Sequence, residues 1–159
     1  MVNANSIIDY SYEDFCKGID HIAKLIEASD FNPDYIVGIV RGGAVPAVHL
    51  SHKLRIPVVM VSWNTRDSTD WGNETNAWIP EDINDGKRII IVDDIVDGGE
   101  TIDTLLEDWG NSIPEDLISE NIRVASMIYN TAQDVNVDFY HQTVDRTQDQ
   151  RWFHFHWEA

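Results

Sequence analysis

The chain contains the stretch Arg88-Ile89-Ile90-Ile91-Val92-Asp93-Asp94-Ile95-Val96-Asp97-Gly98-Gly99-Glu100-Thr101. Its four consecutive aliphatic residues, 89–92, are typical of a strand covered on both faces, as in a parallel sheet flanked by helices. Two adjacent acids follow the strand at once, and a turn with two glycines comes next. The stretch therefore predicts an α/β fold with polar groups at the carboxyl end of a buried strand.

The hydrophobic spacing changes after Thr101 and predicts a helix. Ile102, Leu105, Leu106 and Trp109 fall at positions i, i+3, i+4 and i+7, which places them on one face of a helix. Residues 93–101 are therefore predicted to form the loop between a strand and a helix N-terminus, where backbone N–H groups stabilise anions.

The residue types in this loop suit a phosphorylated sugar. Gly98 and Gly99 allow the backbone to approach a ligand closely, and the helix amides and the Thr101 hydroxyl can donate to phosphate oxygens. Asp93 and Asp94 repel phosphate, but their carboxylates can accept hydrogen bonds from vicinal ribose hydroxyls or hold Mg²⁺. The alternative is an ordinary polar turn that caps a helix.

Asp97 lies three residues beyond the acidic pair. From there its carboxylate could face the anomeric carbon of the sugar and exchange a proton with an incoming or departing base. Asp97 is therefore the predicted catalytic residue.

A second aliphatic strand, over residues 35–40, ends in Arg41-Gly42-Gly43 before a predicted helix over 44–54. A guanidinium group forms charge-assisted hydrogen bonds to pyrophosphate oxygens, and the glycines permit close backbone approach. The sequence thus predicts a second anion-binding loop.

Together, the two loops resemble those of the type I phosphoribosyltransferases, in which a hydrophobic strand leads into an acidic pair and a phosphate loop. The resemblance implies that Arg41 and Gly42 cradle the pyrophosphate of phosphoribosyl pyrophosphate and that Mg²⁺ is held by Asp93 and Asp94. The family usually has Thr or Ser where this chain has Gly98, so backbone amides would do more of the phosphate binding here. The residues predicted to bind the donor are Arg41, Gly42, Arg66, Asp93, Asp94, Asp97, Gly98, Gly99, Glu100 and Thr101.

The carboxyl terminus alternates aromatic and polar residues in Trp152-Phe153-His154-Phe155-His156-Trp157-Glu158. The pattern alone predicts a final strand or extended tail that packs one aromatic face. It also resembles the end of xanthine-guanine phosphoribosyltransferase and its small relatives, where two tryptophans are separated by four residues. That resemblance implies a hood over residues 150–158 in which Trp152 stacks on the purine and the Phe153 backbone meets the base edge.

One position departs from the purine-using relatives. They place a Lys after the strand that follows the signature helix, where it contacts the exocyclic oxygen of a 6-oxopurine, whereas this chain has Asn130. An amide can donate to a carbonyl or accept from an amino group, so Asn130 is a predicted base contact that leaves the choice of base open.

The segment 62–87 is long and polar, with Trp63, Trp71 and Trp78. Such segments are commonly functional lids, and the resemblance implies a flexible loop that closes over the reaction centre. Arg66 is the only cation between residues 62 and 86 and is the predicted contact to pyrophosphate. A surface or subunit-contact loop is an equally good interpretation.

The expected architecture is one domain over residues 1–159, with a mainly parallel twisted sheet flanked by helices and a small C-terminal hood. The predicted helices lie near 12–28, 44–54 and 101–109, and the predicted strands near 36–40, 58–61, 89–92 and 123–128. The first helix begins after Ser11 as N-cap.

Composition narrows the functional class. The 28 acidic residues outnumber the 11 basic ones and give a net charge of −17, which argues against non-specific nucleic-acid binding. The single Cys16 argues against a disulfide framework.

Since no secretory or membrane-spanning apolar segment is evident, we expect a soluble cytoplasmic protein without membrane contact. The resemblance also implies a homodimer or homotetramer.

The predicted reaction transfers the 5-phosphoribosyl group to a purine base, most simply hypoxanthine, guanine or xanthine, in purine salvage. Two alternatives stay open at this point. One is a non-catalytic sensor of phosphoribosyl pyrophosphate or a nucleotide, and the other is a transferase for a pyrimidine or another base.

Overall fold

A computed structural model describes residues 6–65 and 76–158 of the chain. Helices and strands alternate along most of the described sequence. The elements are β1 (Ile7–Tyr10), α1 (Tyr12–Ala28), β2 (Tyr35–Val40), α2 (Ala44–Leu54), β3 (Val58–Ser62), α3 (Trp78–Asn84), β4 (Ile89–Val96), α4 (Glu100–Gly110), α5 (Glu115–Asn121), β5 (Ile122–Asn130), β6 (Phe139–Val144) and β7 (Trp152–Phe155).

Five strands form the main sheet in the order β3-β2-β4-β5-β6, and all of its pairs are parallel. β4 lies at the centre, where Ile91 is in register with Val37 on one side and Val124 on the other. Parallel strands end at one edge of the sheet, so the segments after β2 and β4 are neighbours in space. The predicted parallel α/β fold is confirmed.

Two hydrophobic layers cover the sheet, one on each face. Ile90 and Val92 of β4 pack in the layer that contains α1 and α2, whereas Ile89 and Ile91 pack in the layer that contains α3 and α4. The alternation follows from the two-residue period of a strand. Because both faces are buried, the strand had to be aliphatic at every one of these positions.

The first helix shows how local signals fix an element. Ser11 accepts a hydrogen bond from the backbone N–H of Asp14 at 3.0 Å, which satisfies one of the unpaired amides at the helix start. Phe15, Ile19 and Ile22 lie on its buried face. The helix spans the predicted residues, 12–28.

A second, two-stranded sheet is formed by β1 and β7, which are also parallel. Phe153 and Phe155 of β7 are buried, and Trp157 stacks on Phe155 with ring centroids 4.6 Å apart. This small sheet is the predicted C-terminal hood, and its partner strand β1 was not predicted.

Two local predictions need correction. β4 continues through the acidic pair to Val96, so the true loop is only residues 97–99 and not 93–101. The segment 62–87, predicted as a loop, contains α3, whose Ile79 and Ile83 are buried. The helix α5 and the edge strand β6 were also missed.

Among the described residues, no helix has the length and apolar character needed to cross a membrane.

Candidate active site

The ends of β2 and β4 meet at the carboxyl edge of the main sheet. Gly42 lies so close to Asp94 that a side chain at position 42 would collide with the Asp94 carboxylate. The peptide bond between Val40 and Arg41 is cis. The two predicted anion loops are therefore in direct contact, with the Arg41 side chain exposed beside them.

A cleft of about 330 Å³ opens at this edge, between the end of β4, the start of α4 and the hood. It has the size of an ordinary small-molecule site. Its lining residues are Thr65, Asp93, Asp94, Ile95, Val96, Asp97, Gly98, Gly99, Glu100, Thr101, Ile102, Arg146, Trp152, Phe153, Phe155 and Glu158.

The acidic pair lies on the cleft wall, and both residues are only partly exposed. Asp93 accepts a hydrogen bond from the Asp94 N–H at 2.9 Å, and Asp94 accepts one from the Ile95 N–H at 2.8 Å. Burial and the neighbouring Asp94 charge raise the pKa of Asp93 well above its usual range. Burial, reinforced by the negative charge of Glu158, also raises the pKa of Asp94.

Among the described residues, neither carboxylate of the pair has a Lys or Arg in an ion pair. Buried carboxylates without a cationic partner are costly in free energy. Hard oxygen ligands of this kind are those that Mg²⁺ prefers. The donor set at positions 93 and 94 therefore fits a divalent cation.

The loop of residues 97–99, predicted to bind phosphate and called the phosphate loop below, has a backbone shaped by glycine. Gly99 precedes α4 with a φ of +84°, and no side chain caps the helix, so the first amides of α4 remain available to an anion. A side chain at position 99 would also collide with Val135. At Gly98, in contrast, a Cβ would have Glu100 as its nearest neighbour at 3.9 Å, an ordinary contact.

Asp97 is held by an ion pair with Arg146. Arg146 Nε donates to both carboxylate oxygens of Asp97, at 3.2 and 3.1 Å. Asn130 Nδ2 donates to the same carboxylate at 3.1 Å and to the Asp97 backbone carbonyl at 3.2 Å. Asp97 thus has a fixed orientation at the mouth of the phosphate loop.

Asn130 has a different position from the one predicted. Its side chain is only 1% exposed, and its Oδ1 accepts hydrogen bonds from the backbone amides of Ala132 and Arg146. It does not line the cleft among the described residues. The predicted base contact is therefore corrected to a supporting role: Asn130 is buried behind Asp97 and holds it.

The hood supplies the aromatic side of the cleft. Trp152 is 57% exposed, although it is a large aromatic residue, and it lines the cleft. Phe153 is buried, with the Arg146 guanidinium carbon 5.4 Å from its ring centroid. Glu158 accepts a hydrogen bond from the Phe155 N–H at 2.9 Å, which holds the last described turn against β7.

A family model described as a phosphoribosyl transferase domain matches residues 10–159. The chain belongs to the phosphoribosyltransferase family. The family predicted from the two anion loops is thus confirmed.

Several solved structures share the fold. A purine phosphoribosyltransferase from Pyrococcus horikoshii superposes with a TM-score of 0.72 at 24% identity, covering 96% of this chain and 95% of that one. The xanthine-guanine-hypoxanthine phosphoribosyltransferase of Helicobacter pylori gives 0.72 at 23% identity, with coverages of 96% and 94%. A hypothetical protein from Neisseria gonorrhoeae with bound ppGpp gives 0.69 at 21% identity, with coverages of 97% and 90%.

One curated relative is named for a different base. An orotate phosphoribosyltransferase from Brucella anthropi is 37% identical over 98 residues, which are 58% of this chain and 45% of that protein. The match thus spans about half the length of that relative.

The structure brings most of the predicted phosphoribosyltransferase site into one cleft, namely Asp93, Asp94, Asp97, Gly98, Gly99, Glu100, Thr101, Trp152 and Phe153. Arg41 and Gly42 lie beside the cleft and not in its lining. Arg66 lies outside the described residues, so its contact to pyrophosphate stays a prediction. Trp63, at the start of the same segment, donates from Nε1 to Thr104 Oγ1 of α4 at 2.9 Å.

Sequence reasoning missed seven of the residues that line the cleft: Thr65, Ile95, Val96, Ile102, Arg146, Phe155 and Glu158. Arg146 is the most important, because it is the only cation that lines the cleft among the described residues. A signal was available for it, since it is one of only 11 basic residues and comes shortly before the aromatic hood segment.

Proposed function

We propose that this phosphoribosyltransferase transfers the 5-phosphoribosyl group from phosphoribosyl pyrophosphate to a 6-oxopurine, namely hypoxanthine, guanine or xanthine. The products are a nucleoside monophosphate and pyrophosphate, as in purine salvage. The observation that carries the proposal is the exposed Trp152 ring in the same cleft as the acidic pair and the phosphate loop. An exposed aromatic face beside a sugar-phosphate site is suited to stacking a planar base.

The donor is bound by groups from both loops. The amides of residues 98–101 and the Thr101 hydroxyl hold the 5′-phosphate at the start of α4, where the helix dipole also favours negative charge. Asp93 and Asp94 accept hydrogen bonds from the ribose hydroxyls or coordinate the cation. Arg41 and the backbone at Gly42 hold the pyrophosphate, with Arg66 as a further cation for the same group.

Mg²⁺, when bound by Asp93 and Asp94, supplies positive charge that neutralises the pyrophosphate oxygens. These local charges are needed because the net charge of −17 repels a polyanionic substrate. The cleft therefore binds its donor through a few fixed groups against an unfavourable overall field.

The chemical step breaks the bond between the anomeric carbon and the pyrophosphate oxygen while a base nitrogen bonds to that carbon. The electron pair of the broken bond leaves with pyrophosphate, and the proton of the base N–H goes to the Asp97 carboxylate. Arg146 and Asn130 fix the orientation of that carboxylate, so it does not have to reorganise during the reaction.

Orotate is the second candidate acceptor. The match to orotate phosphoribosyltransferase covers 98 residues at 37% identity, and this chain has Asn130 where purine-using relatives have Lys. A non-catalytic sensor is the third candidate, favoured by the missing hydroxyl at Gly98 and by the fold shared with a ppGpp-bound protein. We also propose a cytoplasmic homodimer or homotetramer, in keeping with the family resemblance.

The test is an assay of the purified protein with Mg²⁺ and phosphoribosyl pyrophosphate against single samples of hypoxanthine, guanine, xanthine, adenine, uracil and orotate. Nucleotide formation and pyrophosphate release are measured together. The proposal expects both with an oxopurine, in equal amounts. Turnover confined to orotate would favour the second candidate, and saturable donor binding without turnover on any base would favour the sensor.

A further inference from the structure

The guanidinium group of Arg146 has two of its three nitrogens fixed by the protein. Nε donates to the Asp97 carboxylate, and Nη1 donates to the Arg151 carbonyl at 2.6 Å and to the Asp149 carbonyl at 3.4 Å. Its plane is further restrained by the ring of Phe153. The third nitrogen, Nη2, has no hydrogen-bond partner within residues 6–65 and 76–158.

Arg146 is nevertheless a poorly hydrated side chain. It is 17% exposed, and what remains exposed contributes to the cleft lining. Because Nη2 has no partner and is not one of the fully buried unpaired atoms of the described residues, it keeps contact with solvent and can donate to a ligand acceptor. The Arg151 carbonyl that Nη1 contacts belongs to the residue before Trp152, and Arg146 and Trp152 both line the cleft.

We propose that Arg146 donates a hydrogen bond from Nη2 to the exocyclic carbonyl oxygen of the base and thereby selects an oxopurine over an aminopurine. The inference rests on the proposed function and adds a residue that determines its specificity. It also replaces Asn130 in that role, since the Asn130 amide is already used by Asp97, Ala132 and Arg146.

The chemistry of the pair supports this choice. Asp97 is an acceptor and Arg146 a donor, and they lie side by side. One edge of a 6-oxopurine carries O6 next to N7, so an N7–H tautomer presents an acceptor beside a donor and matches the pair. Adenine carries an N6 amino donor at the same place, and that group would face the Nη2 donor with no acceptor between them.

The experiment compares hypoxanthine with unsubstituted purine, which lacks the 6-carbonyl, in wild-type protein and in Arg146→Met. Wild type is expected to show a kcat/KM at least about tenfold higher for hypoxanthine. In Arg146→Met that ratio is expected to fall about tenfold, while the dissociation constant of phosphoribosyl pyrophosphate changes less than about twofold. The ratio isolates the carbonyl contact, because any disturbance of Asp97 affects both bases.

Arg151→Met is the matched control. It removes an arginine from the same segment, but the Arg151 side chain is paired with Asp149 at 2.7 Å and does not line the cleft among the described residues. The base ratio should not change in this variant. A wild-type ratio in Arg146→Met would overturn the inference and leave the proposed function intact.

A measurement without any variant covers the case in which Arg146→Met does not fold. Wild-type protein is titrated with inosine monophosphate and with the monophosphate of purine riboside, and Trp fluorescence reports binding. The inference expects at least about tenfold tighter binding of inosine monophosphate, and equal affinities would contradict it. Absence of turnover with every base would count against the proposed function instead.

Discussion

Arg146 Nε lies 3.1 Å from the Oδ2 atom of Asp97, a residue 49 positions earlier in the chain. The contact joins the phosphate loop, which precedes α4, to the segment that leads into the aromatic hood. Since Arg146 also binds the Asp149 and Arg151 carbonyls, one side chain couples the sugar-binding and base-binding parts of the cleft.

Asp97→Asn is expected to lower kcat about a hundredfold, the usual loss when a general base is removed. The amide keeps nearly the same size but accepts a proton poorly. Binding of phosphoribosyl pyrophosphate should change little, because the phosphate is held by the amides of α4. Steady-state kinetics with calorimetric donor titration would separate the two effects, and full turnover in the variant would remove Asp97 from its catalytic role.

Gly98→Ser is expected to fold normally and to bind the donor more tightly. A Cβ at this position has only an ordinary 3.9 Å contact with Glu100, and the added hydroxyl can donate to the 5′-phosphate. We expect donor affinity to rise about fivefold, since one neutral hydrogen bond contributes about 1 kcal/mol. Gly99→Ser is the contrasting variant: with a φ of +84° and a collision with Val135, it should lose about 1 kcal/mol or more of stability.

If Gly98→Ser instead lowered the melting temperature as much as Gly99→Ser, the open space assigned to position 98 would be wrong. Unchanged donor affinity in a stable Gly98→Ser variant would show that the phosphate does not reach this part of the loop.

Gly42→Ala is expected to destabilise the protein by about 1–3 kcal/mol, the usual range for overpacking. The new methyl group would push on the half-buried Asp94 carboxylate, so Mg²⁺-dependent donor binding should weaken as well. Gly110→Ala is a suitable control. Gly110 is the last residue of α4, and a Cβ there would have an ordinary 3.8 Å contact with Ile118. Chemical denaturation of both variants checks this prediction, and equal stability of the two would contradict it.

The pair formed by His21 and His141 predicts sensitivity to acid. Their Nδ1 atoms are 3.0 Å apart, and burial together with His21 lowers the pKa of His141. The unfolded chain therefore binds a proton at a higher pH than the folded chain. The free energy of unfolding should therefore fall as the pH drops below about 6.5, the ordinary histidine pKa. The contribution of His141 to this fall ends at the pH where His141 is protonated in the folded state as well.

His141→Gln is expected to reduce that acid-induced loss. The measurement is the free energy of unfolding of wild type and variant between about pH 7.5 and pH 5, a window that spans the unfolded histidine pKa. If the free energy of unfolding falls equally with decreasing pH in both proteins, His141 does not contribute to the acid-induced loss of stability.

Much of the fold was predictable because the relevant signals are local. β2 and β4 are runs of aliphatic residues, and α1 has both an N-cap at Ser11 and a regular apolar face. β6 was missed because it is an edge strand whose His141, Gln142 and Thr143 are polar. β1 has only four residues and exists through its pairing with the distant β7.

The candidate site was predictable where its residues lie close together in the sequence. The acids and glycines of β4 and its loop are contiguous in sequence, so their chemistry could be inferred together. Arg146 contacts Asp97 only in the folded chain, and no local pattern links the two. Asn130 was assigned to the base from its place at the end of the predicted strand, but sequence could not reveal that its amide is buried and already used.

The most direct test of the account is a competition between the two bases that the relatives suggest. Hypoxanthine and orotate are supplied together at equal concentration, with Mg²⁺ and phosphoribosyl pyrophosphate, and the two nucleotide products are quantified at early times. We predict inosine monophosphate in large excess, with one pyrophosphate released per nucleotide formed. Orotidine monophosphate as the main product, or no nucleotide at all, would contradict the account.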